Sequence, residues 1–234
     1  MFPKWISSKA PSGSDTLPIR VKICGVTTPA DAAFAAEVGA DAIGLNFYTK
    51  SSRYLDPHAA GAILRVLSPF VAPVGVFVEM PLRRATAIAF QLGLRSIQTY
   101  DDSPPNDDSF PFAHLPAFRV KDATSLVAIQ AFIQQMRERG HTPSAVLIDS
   151  YVAGEMGGTG HRAPWELLVG FDPGIPWILA GGLTPDNVAE AIRTVRPWGV
   201  DVASGVEISP GVKDAGKVRA FVANARDAAR ELDR

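Results

Sequence analysis

Eight short apolar runs, separated by segments with helical periodicity, constrain this 234-residue chain more than any other feature. The runs are residues 19–24, 41–47, 72–78, 95–98, 117–120, 145–149, 177–180 and 200–203, and they are rich in Val, Ile and Leu. Such composition suits parallel strands covered on both faces, since neither face then has to meet water. Helix signals lie between the runs. Thr28-Pro29-Ala30-Asp31 places Thr at an N-cap, Pro at the first helical position and an acid at the third. Thr184-Pro185-Asp186 repeats that start after the seventh run. Leu126, Ile129, Phe132, Ile133 and Met136 recur at three- and four-residue spacing, as do Val218, Phe221, Val222, Ala225, Ala229 and Leu232, and each set forms one apolar helix face. Gly39-Ala40-Asp41 and Gly199-Val200-Asp201 return helices to strands, with the glycine suited to the helix C-cap.

Strand–helix alternation implies parallel βαβ units, and eight of them imply an α/β chain closed as a (β/α)8 TIM barrel, a single domain over residues 19–234. An open, doubly wound sheet is the alternative that periodicity does not separate. One unit is irregular. Residues 101–115 hold Pro104, Pro105 and Pro111, with Pro116 at the edge and no helical period, so the fourth helix is expected to be short or missing. Residues 1–18, rich in Ser and Pro, read as a flexible N-terminal leader outside the fold. They lack the apolar core of a secretory signal, and no stretch is apolar for long enough to span a bilayer.

Charge narrows the range of partners. Twenty-three basic and 24 acidic residues leave a net charge of −1, spread along the chain. That balance argues against non-specific binding to nucleic acid or membrane, while a local anion pocket stays open. The one cysteine, Cys24, rules out an internal disulfide and a multi-cysteine metal site, and fits a reducing, cytoplasmic setting. His58, His114, His141 and His161 are scattered over helices and loops, which gives no metal-ligand cluster. The expected partner is therefore a small molecule, and the expected assembly a monomer or homodimer; no metal or cofactor is expected.

Strand parity separates inward from outward side chains. Val21 and Ile23 oppose Lys22 and Cys24; Val146 and Ile148 oppose Leu147 and Asp149; Val200 and Val202 oppose Asp201 and Ala203. With the branched sets under the helices, the other sets face the barrel interior, together with Asn46, Gln98 and Arg119. Polar groups at the C-terminal ends of several strands then meet at one mouth, where barrels of this kind keep their catalysts. Each has a plainer reading alone: Cys24 as a small hydrophobe, Asp149 as a turn cap, Lys22 and Arg119 as structural ion-pair members. Their convergence favours function, because charges inside a barrel are costly unless they are paired or bind something.

Glycine turns follow the late strands: Gly157-Gly158-Thr159-Gly160, Gly181-Gly182 and Ser204-Gly205. Glycine lets backbone N–H groups approach an anion, and the loops after strands seven and eight are the usual phosphate site of this fold. Gly158, Thr159, Gly160, Gly181, Gly182, Ser204 and Gly205 are the expected phosphate binders.

With these motifs the chain resembles the phosphoribosylanthranilate isomerase family over roughly residues 20–224. The resemblance rests on Lys22-Ile23-Cys24-Gly25, on Leu147-Ile148-Asp149-Ser150 with the glycine turn after it, and on Leu179-Ala180-Gly181-Gly182-Leu183 with Pro185 and Asn187-Val188. It continues through Gly199-Val200-Asp201-Val202, Ser204-Gly205-Val206-Glu207, Pro210-Gly211 and Lys213-Asp214, and Ser52-Arg53-Tyr54 matches a further segment. The resemblance implies an Amadori rearrangement of N-(5-phosphoribosyl)anthranilate. Asp149 is then the acid that protonates the furanose oxygen, Cys24 the thiolate base at C2, and Arg53 the partner of the anthranilate carboxylate. Lys22, Gln98, Arg119 and Asp201 complete the expected substrate-binding set; Lys22 either favours the thiolate or pairs with Asp201. The chain departs from the family at Gln98-Thr99-Tyr100-Asp101, where Gln-Leu-His-Gly is usual, at Ser52 in place of Pro, and at Ala203 in place of Ser. A paralogous sugar-phosphate isomerase or epimerase and a non-catalytic phosphate-binding barrel are the alternatives. The related histidine-pathway isomerase is expected to carry Asp where Cys24 stands.

Overall fold

Eight parallel strands close on themselves in the computed structural model, which describes residues 18–100, 110–149 and 165–232. They are β1 (Arg20–Cys24), β2 (Ala42–Asn46), β3 (Ala72–Phe77), β4 (Ser96–Thr99), β5 (Ala113–Arg119), β6 (Val146–Asp149), β7 (Trp177–Ala180) and β8 (Gly199–Val202). Each pairs with the next in sequence, and β8 returns to β1 in the register Lys22↔Asp201 and Ile23↔Val202. That seam settles the topology as a barrel and not an open sheet. All eight strands overlap their expected positions. Residues 1–17 of the leader lie outside the described residues.

The helices are α1 (Pro29–Glu37), α2 (Pro57–Val66), α3 (Leu82–Leu92), α4 (Ala123–Glu138), α5 (Val188–Val195) and α6 (Ala215–Leu232). Among the described residues none is long and apolar enough to cross a membrane. α1 starts as its sequence dictates: the Thr28 side chain accepts from the Asp31 N–H at 3.1 Å, with Pro29 next in line. Ile129, Phe132, Ile133 and Met136 bury one face of α4, and Val218, Phe221, Val222 and Ala225 one face of α6.

Two helix boundaries differ from expectation. α5 begins at Val188, not beside Thr184, because Asn187 Oδ1 accepts from the Thr184 N–H at 2.8 Å and closes a turn there first. The Thr184 carbonyl still accepts from the Val188 N–H at 3.1 Å, so the Thr-Pro signal seeds the turn that feeds the helix. Gly199 is not a C-cap. Arg196 takes the left-handed position after α5 (φ 49°), its N–H bonded to the Ile192 carbonyl at 2.9 Å, and Gly199 opens β8.

The largest difference concerns the proline-rich link. β5 starts at Ala113, four residues before the expected 117, and so carries His114 and Pro116 into the sheet. A proline lacks the ladder N–H, but the β5–β6 register begins only at Ala117↔Leu147, one residue beyond Pro116. Among the described residues no helix lies between β4 and β5. Aromatic side chains cover that flank instead. Phe110 meets His114 and His141 with ring centroids 5.6 and 5.2 Å apart, and Phe112 meets Phe90 of α3 at 4.8 Å. Beneath them Thr99 Oγ1 and His114 Nε2 share a buried hydrogen bond of 3.0 Å. Inside the barrel, Leu115, Ala117, Leu147, Ile178 and Ala180 pack as one cluster below the mouth.

Candidate active site

The pleat of each strand decides which side chains meet above that cluster. The register joins Cys24 to Gly44, Asn46 to Val76, Val76 to Gln98, Arg119 to Asp149, and Asp201 to Lys22. One cavity opens at the C-terminal ends of the strands. Cys24, Asn46, Tyr100, Arg119, Asp149 and Asp201 line it, together with Arg53 from the β2–α2 loop. Of the inward set read from parity, Cys24, Asn46, Arg119, Asp149, Asp201 and Ala203 line this mouth, while Lys22, Leu147 and Gln98 are buried below it. Gln98 faces inward but does not reach the cavity; it is fully buried, and neither polar atom of its amide finds a hydrogen-bond partner among the described residues. Tyr100, two residues on and on the same face, takes its place. Burial, then the nearby charges of Cys24, Asp149 and Asp201, raise the phenol far above its ordinary range. Tyr100 is thus a neutral hydrogen-bond donor at neutral pH.

Cys24 is the last residue of β1 and is partly exposed. Gly44 stands beside it on β2: a Cβ there would lie 2.6 Å from Sγ and 3.0 Å from the Cys24 Cα. The thiol occupies space that any larger residue would fill. Sequence reading passed over Gly44, although a glycine at an inward position of a strand was a usable signal.

Lys22 and Asp201 form a buried ion pair at 2.7 Å, with side chains 4% and 9% exposed. Burial works against the ammonium, yet Asp201 and then Cys24 hold its pKa above the ordinary lysine value. The thiol behaves oppositely. Desolvation pushes the Cys24 pKa up and Asp201 adds to that, while Lys22 and Lys213 offset only part. Lys22 does not by itself make a thiolate, because Asp201 takes most of its charge.

A second network flanks the thiol. After β8 the chain forms a hairpin of β9 (Glu207–Ser209) and β10 (Val212–Lys213). Arg53 holds Glu207 in a two-bond fork, Nε to Oε1 at 2.8 Å and Nη2 to Oε2 at 2.7 Å. Lys213 Nζ donates to the same Oε1 at 2.8 Å, to the Cys24 carbonyl at 2.6 Å and to the Ala203 carbonyl at 3.2 Å. Arg53 therefore faces the cavity already oriented by a carboxylate of the protein. Glu207 and Lys213 belonged to recognised motifs, but their contacts span up to 189 residues of sequence, which periodicity does not encode.

Opposite the aromatic flank lie the late loops. Gly181, Gly182 and Ser204, read from sequence as phosphate binders, line the cavity. Gly205 does not line it. Its Cα sits against the Leu183 carbonyl, where a Cβ would come within 1.9 Å of the oxygen, so its service is to hold the β7 and β8 loops together. Gly158, Thr159 and Gly160 lie outside the described residues.

The chain is similar to known proteins over most of its length. The model of the N-(5'-phosphoribosyl)anthranilate (PRA) isomerase family matches residues 21–224. An N-(5'-phosphoribosyl)anthranilate isomerase of Geobacter sp. (strain M21) is 45% identical over 208 residues, 88% of this chain and 98% of that protein. Among solved structures, phosphoribosyl anthranilate isomerase from Thermotoga maritima superimposes with a TM-score of 0.79 at 35% identity, covering 89% of this chain and 99% of that one. Another such isomerase, in complex with reduced 1-(o-carboxyphenylamino)-1-deoxyribulose 5-phosphate, gives 0.75 at 33% identity with the same coverage.

Proposed function

The chain belongs to the N-(5'-phosphoribosyl)anthranilate isomerase family, and on that premise we propose that Cys24 is the base and Asp149 the acid of its reaction. The reaction is the internal rearrangement of N-(5-phosphoribosyl)anthranilate to 1-(2-carboxyphenylamino)-1-deoxyribulose 5-phosphate, an aldose–ketose isomerisation in tryptophan biosynthesis. One observation carries the assignment of roles. Cys24 on β1 and Asp149 on β6 open on a single cavity whose rim is formed by Gly181, Gly182 and Ser204.

The steps follow from the chemistry of the substrate. Asp149 donates a proton to the furanose oxygen; the C1–O bond breaks as the anilino nitrogen lone pair forms the C1=N bond of a Schiff base. The thiolate of Cys24 removes the C2 proton, and the C2–H electron pair moves to C1–C2 while the C=N pair returns to nitrogen. The resulting enolamine tautomerises to the ketone, so atoms and electrons balance within one molecule. Arg53 receives the anthranilate carboxylate and the β7 and β8 loops hold the phosphate. Arg119 and Asp201 hold the sugar, with Lys22 paired behind Asp201. Tyr100 is this chain's own departure from the family pattern, at the end of β4, across the barrel from β8. It lies on the aromatic side of the substrate.

The site is built within one chain, so a monomer or a homodimer serves equally. We place the reaction in the cytoplasm, where the one cysteine stays reduced. The test is turnover of freshly made substrate, followed by loss of its fluorescence. Cys24→Ala and Asp149→Ala should each lose on the order of 10³-fold in kcat, the range of a lost acid or base, while still binding the reduced product analogue. An active Cys24→Ala enzyme would sink the assignment. A wild-type protein that binds the analogue without turnover would favour a binding barrel.

A further inference from the structure

The acid–base steps make no use of Lys213, yet its ammonium touches the strand that carries the base. We infer that Lys213 is a positioning residue for Cys24: it fixes the carbonyl of that residue and sets a positive charge beside the thiol, which Glu207 shares out between Lys213 and Arg53. The inference rests on the reading of Cys24 as the base.

Three observations support it. The first is the choice of acceptors. Lys213 Nζ bonds the carbonyl of Cys24, the last residue of β1, and that of Ala203, which precedes Ser204 at the phosphate end. One ammonium thereby locks the base-bearing strand to the phosphate loop. The second is cost. Lys213 is only 6% exposed, and burying an ammonium is far less favourable than pinning a hairpin with an apolar side chain. The third is charge balance. Several charged or titratable groups bear on the thiol: Lys22 on β1, Asp201 on β8, Arg53 after β2, Tyr100 after β4 and Lys213 on β10. Arg119 and Asp149 stand farther round the same mouth. Lys22 and Asp201 cancel each other, and Tyr100 is neutral. Two cations share the one carboxylate of Glu207, so a single positive charge is left over on the Arg53–Lys213 side. That surplus suits both a thiolate and a substrate carboxylate.

Cys24 is the one cysteine of the chain, so alkylation of the intact protein by iodoacetamide reports on it without reference to turnover. With Lys213→Met the pH midpoint of alkylation should rise by about one unit, the usual effect of losing a neighbouring opposite charge. Its kcat should fall about tenfold with little change in KM, following the thiolate fraction. Lys213→Arg should restore the midpoint. Glu207→Gln should move the midpoint the other way, downward, because it releases both cations from their shared carboxylate. A folded Lys213→Met protein whose alkylation profile superimposes on the wild type overturns the inference and leaves Lys213 a hairpin staple. Should Lys213→Met fail to fold, an unchanged or raised midpoint in Glu207→Gln overturns it equally. Failure of the underlying reading looks different: Cys24→Ala would retain activity while the alkylation shifts persisted.

Discussion

Replacing His114 with Gln should make the barrel resistant to mild acid. His114 is 2% exposed, packed against Phe110 and His141, and its pKa is lowered from 6.5 to about 4, first by burial and then by His141. The folded state therefore keeps it neutral where the unfolded chain would protonate it. Between those two values the unfolded state binds more protons, so stability is complete above the unfolded pKa and is lost as pH falls toward the folded one. The difference corresponds to about 3 kcal/mol in all, of which about 2 kcal/mol is already gone near pH 5. Glutamine retains a polar group to face Thr99 Oγ1 but has no proton to gain. Urea unfolding followed by circular dichroism, for both proteins at about pH 7.5 and pH 5, isolates the effect, since every other titratable group is common to the two. The wild type should lose about 2 kcal/mol more than His114→Gln across that interval. Equal losses would refute the reasoning and put the acid sensitivity elsewhere.

Three further outcomes follow from the site. Gly44→Ala forces a methyl onto the thiol and the Cys24 backbone; kcat should drop at least about tenfold with about 1–3 kcal/mol of stability, and an unchanged kcat would remove the steric argument. Asp201→Asn leaves the Lys22 ammonium buried against a neutral partner and should cost about 3–5 kcal/mol by urea titration. Because Asp201 raises the thiol pKa, the same variant should be alkylated at lower pH than the wild type, and a rise would contradict that account. The base must be deprotonated to act and its pKa stands above the ordinary thiol value, so kcat/KM should still be climbing as pH passes above neutrality; a flat profile from mildly acidic to alkaline pH would argue against a thiolate base.

The parts of this protein that were legible in its sequence are those governed by short-range periodicity. Alternation along β1, β6 and β8 put Lys22, Cys24, Asp149 and Asp201 on the inner face because the pleat has a period of two residues. The aliphatic spacing of α4 and α6 gave their buried faces for a similar reason. Reading failed where a long-range partner decides the outcome. The partner of Arg53 was hidden too: Glu207, 154 residues away, bonds its Nε and orients it toward the cavity. The early start of β5 was hidden because Pro116 looks like a breaker unless the register with β6 is known. Gln98 follows the inward rule, yet parity says nothing of depth, and the mouth is reached only by the next inward residue, Tyr100. Asn187 delayed α5 by a side-chain bond that no spacing rule would weigh above a Thr-Pro start.

The pairing of Lys22 with Asp201 also bears on how such a chain comes to be closed. It joins the first strand to the last across 179 residues, so it belongs to the strand pairing of the barrel with the longest loop to close. Until that closure both β1 and β8 are edges, each offering unpaired N–H and C=O groups to any other chain nearby. Each of these two edges carries an inward-pointing charge of opposite sign. A nascent sheet with its seam still open thus presents ionic edges, hostile to a stray apolar strand and complementary to each other.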